Sequence, residues 1–166
     1  MFVLRPFRLF FKALIIDASP RQMAFGFALG VLVGLVPKGN LLAIGLMMLM
    51  CSLRVNLGVG LATVFVASWA GMLLDPITHR IGEFLLKSEP LRPLWETMID
   101  TALLPWTDFN NTVVLGSFSL GLVAFVPLYF LSRPVFGLLT PRLVAWAQRF
   151  RLVSLLWGGE LTGKLA

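Results

Sequence analysis

Apolar residues fill this chain in blocks, and short polar breaks set the boundaries between them. Gln22 to Val36 reads QMAFGFALGVLVGLV, Pro37-Lys38-Gly39-Asn40 interrupts, and Leu41 to Leu53 reads LLAIGLMMLMCSL. The pattern predicts two apolar helices joined by an elbow. At about 1.5 Å per residue they reach only about 22 and 20 Å. A hydrocarbon core of about 30 Å asks for about 20 apolar residues. The pair over 22–53 is therefore a short hairpin that either re-enters one face of a bilayer or spans a thinned one. Leu57 to Leu74 and Thr112 to Ser132 carry no charge and are long enough to span fully.

Local signals sharpen the ends. Ser19-Pro20-Arg21-Gln22 has the order of a capping box with proline at the first helical position. Asn40 and Asn56 stand where each can cap the segment that follows. Asp75-Pro76 reads as a further helix start, so the third apolar segment is expected to stop at Leu74. Arg133-Pro134 reads as the end of the last span, with Pro127 kinking it. Between the spans, residues 75–111 hold short amphipathic helices over Ile77–Leu86 and Leu91–Leu104, split at Glu89-Pro90.

Both ends of the chain look interfacial. Residues 1–19 set Arg5, Arg8 and Lys12 three and four apart among Phe2, Phe7, Phe10 and Phe11. That spacing puts the bases on one face of an amphipathic helix lying on a membrane. Residues 136–166 repeat the theme with Arg142, Arg149 and Arg151 among Trp146, Phe150 and leucines, ending in a short tail.

Composition agrees with this layout. The chain of 166 residues is 58% hydrophobic and 13% charged, with mean hydropathy +0.87. A soluble domain carries about 25% charge. The expected fold is an all-α integral membrane protein: the hairpin, two full transmembrane helices (57–74 and 112–132), and interfacial helices at both ends, with 20–135 as the membrane domain. The net charge of +6 sits beside apolar segments, which favours anionic lipid over nucleic acid. Arg5, Arg8, Lys12 and Arg21 at the start and Arg133, Arg142, Arg149, Arg151 and Lys164 at the end put both termini in the cytoplasm. Residues 75–111, with six acids against three bases, fall outside. Trp69, Trp95 and Trp106 suit an outer aromatic belt, Trp146 and Trp157 an inner one. The lone Cys51 reads as a small core residue.

Candidate chemistry is sparse. Gly26, Gly30 and Gly34 fall four apart, as do Gly58 and Ala62, Ala67 and Gly71, and Ser117 and Gly121. Small residues at that spacing let helix backbones approach, either within the chain or against another protein. Lys38, Gly39 and Asn40 at the elbow are the sharpest ligand candidates. A lysine within a membrane marks a pathway or site by default, and an anion such as a lipid phosphate would suit it. The plainer reading is a surface turn. Arg54 could hold a head group and Asn56 cap a helix, the bland reading being an interfacial arginine beside a cap. Asp75, Thr78 and His79 suggest proton handling less readily than a capped helix start with an exposed histidine. One histidine, no P-loop, no Gly-x-Ser-x-Gly and no metal-ligand spacing leave no catalytic residue, metal or cofactor to assign.

Over residues 20–135 these features resemble a bacterial family, domain of unknown function 2062. Its glycine-spaced helix, proline-glycine break, Arg-x-Asn and Asn-Pro-x-Thr correspond to Gly26, Gly30, Gly34, Pro37, Gly39, Arg54, Asn56 and Asp75-Pro76-Ile77-Thr78. Asp75 departs from the usual asparagine. The resemblance implies a small bacterial inner-membrane protein of unassigned activity, and weakly a subunit role. The leading expectation is a non-enzymatic inner-membrane subunit whose glycine face docks a membrane protein partner or a second copy, in envelope lipid transport. The alternative is a small oligomeric transporter or lipid flippase with an anion site at Pro37–Asn40.

Overall fold

The structure, a computed structural model, describes residues 19–148, with side chains through Pro141. The expected interfacial helix over 1–19 lies outside the described residues, apart from Ser19, as does everything beyond Gln148. Among the described residues the chain is all helical: α1 (Pro20–Leu35), α2 (Leu41–Ser52), α3 (Leu57–Leu86), α4 (Arg92–Asp100) and α5 (Thr112–Gln148). Two 3-10 turns, Glu89–Leu91 and Leu104–Thr107, shape the connection between α3 and α5.

The helix starts follow from side-chain chemistry. Ser19 Oγ accepts from the Gln22 amide, and Gln22 Oε1 accepts from the Ser19 amide at 3.1 Å, completing the capping box. Asn40 Oδ1 accepts from the Ala43 amide at 2.8 Å and Asn56 Oδ1 from the Val59 amide at 2.9 Å. Each satisfies an amide that the first helical turn leaves unpaired.

Two helix ends differ from the sequence expectation. The helix that begins at Leu57 does not stop at Leu74. It runs through Asp75 and Pro76 to Leu86, so Asp75 lies inside a helix and caps nothing. The connection to α5 starts about three turns later than expected. Likewise α5 continues past Arg133 with Pro127, Pro134 and Pro141 inside it. A proline removes one amide and crowds the carbonyl four residues back. In a long helix held along its length by neighbours, that loss is local and does not end the element. The three prolines are seven residues apart, two helical turns, so they share one face. The C-terminal segment expected from 136 thus begins as a continuation of α5.

The expected helix over Leu91–Leu104 is shorter, ending at Asp100. Leu103 and Asp108 adopt positive φ, 73° and 57°, which breaks the helical path on both sides of the Leu104–Thr107 turn. Cys51 is exposed rather than in the core, because α2 buries Ala43, Leu46 and Met50 and leaves its other face outward.

Helices α1, α3 and α5 form a three-helix bundle in which each packs on both others. α1 and α3 run parallel: Gly26 lies against Asn56, Gly30 against Gly60 and Thr63, and Gly34 against Ala67. α5 returns antiparallel, with Gly121 against Leu32 and Phe25 against Phe125 and Tyr129. α2 folds back along α1, bringing Met50 beside Gly60. The core is Leu29, Leu32, Val33, Val36, Ala43, Leu46, Met50, Val64 and Val114.

The outer surface is apolar as well. Ile44 and Met48 on α2, Phe65, Trp69 and Leu73 on α3, and Val123, Phe130 and Leu131 on α5 are all exposed. Helices α3 and α5 are long and apolar enough to cross a membrane, while α1 and α2 are shorter apolar helices.

Candidate functional site

The elbow is built on Gly39, whose φ of +105° only glycine adopts without strain. Lys38, just before this turn, reaches back over the end of α1. Its Nζ donates to the carbonyls of Val33 at 2.6 Å, Gly34 at 3.1 Å and Val36 at 2.6 Å. An ammonium has three protons, so all of them are directed at the chain's own backbone. These are carbonyls that a helix end leaves without amide partners. Asn40 is buried and spans the elbow, its Nδ2 donating to the Pro37 carbonyl at 3.0 Å. The geometry is that of a C-terminal cap followed by an N-terminal cap.

Arg54 and Asn56 sit at the other end of the hairpin, one full length of α2 away, about 18 Å. The five ligand candidates therefore do not converge. Arg54 is exposed. Asn56 is buried; its amide donates to the Gln22 carbonyl at 3.2 Å, tying the start of α3 to the start of α1.

The small residues lie mainly between helices of this chain. A Cβ at Gly26 would come within 2.7 Å of the Asn56 carbonyl oxygen, and one at Gly30 within 2.6 Å of that of Gly60. Gly71 backs onto Leu35, and Gly58, Ala67 and Ser117 are buried. The glycine edge of α1 is thus occupied by α3. Ala62 differs, being exposed on α3.

Ala62 lines a groove of about 620 Å³ between α1, α3 and α5. Val66, Ala67, Ala70 and Leu74 continue it along α3, Phe27 and Val31 bound it on α1, and Ala124 and Phe136 on α5. Its hydroxyl, that of Thr63, donates to the Val59 carbonyl at 2.7 Å, so the groove presents no unpaired polar side chain. Ala70 and Ala124 were not among the sequence candidates; the spacing of eight between Ala62 and Ala70 was the available signal on α3, and Ala124 had none.

The closest helix contact was also unmarked in the sequence. Gly116 of α5 lies on the backbone carbonyl of Thr78, and Gly82 of α3 on that of Thr112. Nearby, His79 Nδ1 and Thr112 Oγ1 are 2.6 Å apart and His79 Nε2 is 4.0 Å from Glu83, all near the surface. Trp95 donates from Nε1 to the Leu85 carbonyl at 3.1 Å, fastening α4 to the end of α3. Among the described residues no three of His, Cys, Asp and Glu gather as a metal site.

No solved structure matches the chain. It is 25% identical over 123 residues to an uncharacterized protein of Treponema pallidum (strain Nichols), covering 74% of this chain and 76% of that one. A family model described as an uncharacterized protein conserved in bacteria, DUF2062, matches residues 4–143. With the match covering most of its length, this chain belongs to the DUF2062 family of bacterial proteins.

Proposed function

We propose that this protein is a non-enzymatic subunit of a bacterial inner membrane that receives a transmembrane helix of a partner protein in the groove between α1, α3 and α5. The groove itself carries the reading. Its floor on α3 runs Ala62, Val66, Ala70 and Leu74, so two alanines, eight residues apart, alternate with larger side chains along one stripe. Where lipid tails are as apolar as leucine, association depends on close packing, and stripes of small residues permit it. The glycine edge of α1 is taken up by α3, which moves the docking face from the hairpin to this groove.

Exposed apolar side chains around the bundle support the membrane setting. Arg21, Arg54 and Arg133 share one end of the bundle, the acids of 75–111 the other, which supports cytoplasmic termini. The hairpin is re-entrant in this reading. Leu35, the last residue of α1, is level with Gly71, about 22 Å above Asn56. The charge-free part of α3, Leu57 to Leu74, is about 27 Å long and ends at exposed Asp75. Helix α1 stops short of that boundary, and the Leu104–Thr107 turn packs on α2. A transporter with an anion site at Pro37–Asn40 has no contact in its favour, since Lys38 is turned onto carbonyls.

The test is a photo-crosslinking amino acid at Ala62 and at Ala70 in native membranes, with Phe65 and Trp69 as outward-facing controls. One membrane protein of a different sequence, crosslinked at 62 and 70 and not at 65 and 69, is the expected result. A crosslink to a second copy would replace the partner with self-association. Lipid adducts alone at all four positions would overturn the docking role.

A further inference from the structure

At the end of the bundle away from the elbow, α1 and α5 border a second cavity, of about 710 Å³ and open to the surface. Pro20 and Arg21 line it from α1, and Phe130, Arg133, Pro134 and Gly137 from α5, with Ser19 at its edge. The sequence explains the space. Pro134 crowds the preceding turn of α5, and Gly137 brings no side chain; a Cβ built there meets nothing within 4 Å. Apart from Ser19 and the two arginines the walls are apolar.

Those two guanidinium groups have no carboxylate partner among the described residues, and no acid lines the cavity. At the other end of the bundle Lys87 and Arg92 are paired with Glu83 and Glu96 at 2.7 and 3.0 Å, while Arg80 has no carboxylate partner among the described residues but lines no cavity with a second base. Two like charges around one apolar space call for an anion. Guanidinium is the cation whose planar donors match phosphate oxygens two at a time. The start of α1 is already capped by Ser19, so the positive charge comes from the side chains.

We propose that this cavity holds the phosphate of an anionic phospholipid head group, clasped by Arg21 and Arg133, with the lipid body against Phe130 and Pro134. A free phosphate anion is the other source of the same chemistry. The partner groove lies on the opposite flank of α5, so the two sites are separable by mutation.

Native mass spectrometry of the full chain in detergent, titrated with phosphatidylglycerol and separately with phosphatidylcholine, tests this. Arg21→Gln and Arg133→Gln should each weaken retention of phosphatidylglycerol about tenfold or more, the effect of losing a charged hydrogen-bond partner. Arg80→Gln, on α3 and outside the cavity, should not. Arg133→Lys should recover part of the loss. Gly137→Leu fills the open space without removing charge and should also displace the lipid. Millimolar inorganic phosphate should leave the bound phosphatidylglycerol in place; displacement would assign the site to a free anion instead. Retention unchanged in Arg21→Gln, Arg133→Gln and Gly137→Leu, with helicity intact by circular dichroism, would overturn the proposal.

Discussion

Gly116 of α5 rests on the backbone carbonyl of Thr78 of α3, and one turn away Gly82 of α3 rests on the carbonyl of Thr112. The two glycines make a reciprocal contact in which each helix removes its side chain where the other presents backbone. Backbone cannot step aside as a side-chain tip can, so adding a methyl group forces the helices apart. Gly116→Ala and Gly82→Ala should each cost about 3 kcal/mol, the upper end of overpacking penalties. Gly45→Ala, where nothing lies within 4 Å, should be neutral or stabilise by about 0.5–1 kcal/mol through helix propensity alone. Unfolding in mixed micelles measures all three, and equal stability across the set would contradict the close crossing.

Lys38 separates two accounts of the elbow. As a cap on the Val33, Gly34 and Val36 carbonyls it contributes to folding. Lys38→Ala would then lower stability by about 1–3 kcal/mol, because charged hydrogen bonds are lost and carbonyls are left unpaired. As a ligand site it would leave stability unchanged and remove only binding. The same unfolding assay decides, and an unchanged midpoint would reject the cap.

Asp75 stands where the resemblance drawn from the sequence expects an asparagine. It is exposed inside α3, and the part of it that is used is its carbonyl, which accepts from Thr78 Oγ1 at 3.2 Å. Any residue supplies that carbonyl. Asp75→Asn should therefore shift stability by less than about 0.5 kcal/mol. Thr78 is buried against α5, and Thr78→Leu should be destabilising by about 1–3 kcal/mol through overpacking. Comparable large losses for both would show that the acid side chain has a partner in the fold.

These outcomes bear on what the chain spells out locally. The caps at Ser19, Asn40 and Asn56 were legible because each is a hydrogen bond between residues three apart. The glycine spacing of α1 marked a contact face, but the partner, α3, is a tertiary choice that spacing does not encode. Asp75-Pro76 reads as a helix start and Arg133-Pro134 as a helix end, yet both prolines lie inside continuous helices. One missing amide is a local defect, and packing along α3 and α5 carries the helix across it. Lys38 reads as a charge at an elbow; that its side chain folds back onto the carbonyls of its own helix is set by the backbone path after Leu35, which residue types alone do not encode. Cys51 shows the same limit, since α2 is apolar all round and its buried face is set by α1.

The depth of the hairpin is the remaining relationship with a direct readout. Leu41 opens α2 beside the elbow, and Asp75 stands about one turn above Gly71 on α3, where the charge-free stretch ends. Both side chains are exposed on the protein surface, so neither is shielded by the fold. A difference in their reactivity would report the surrounding medium. In a Cys51→Ser background, Asp75→Cys should react readily with a membrane-impermeant maleimide added from outside, and Leu41→Cys slowly. Detergent should abolish the difference, since it removes the bilayer and leaves the protein surface. Equal reactivity from outside in intact cells would mean that the elbow reaches periplasmic water and that α1 and α2 cross the membrane as two short spans.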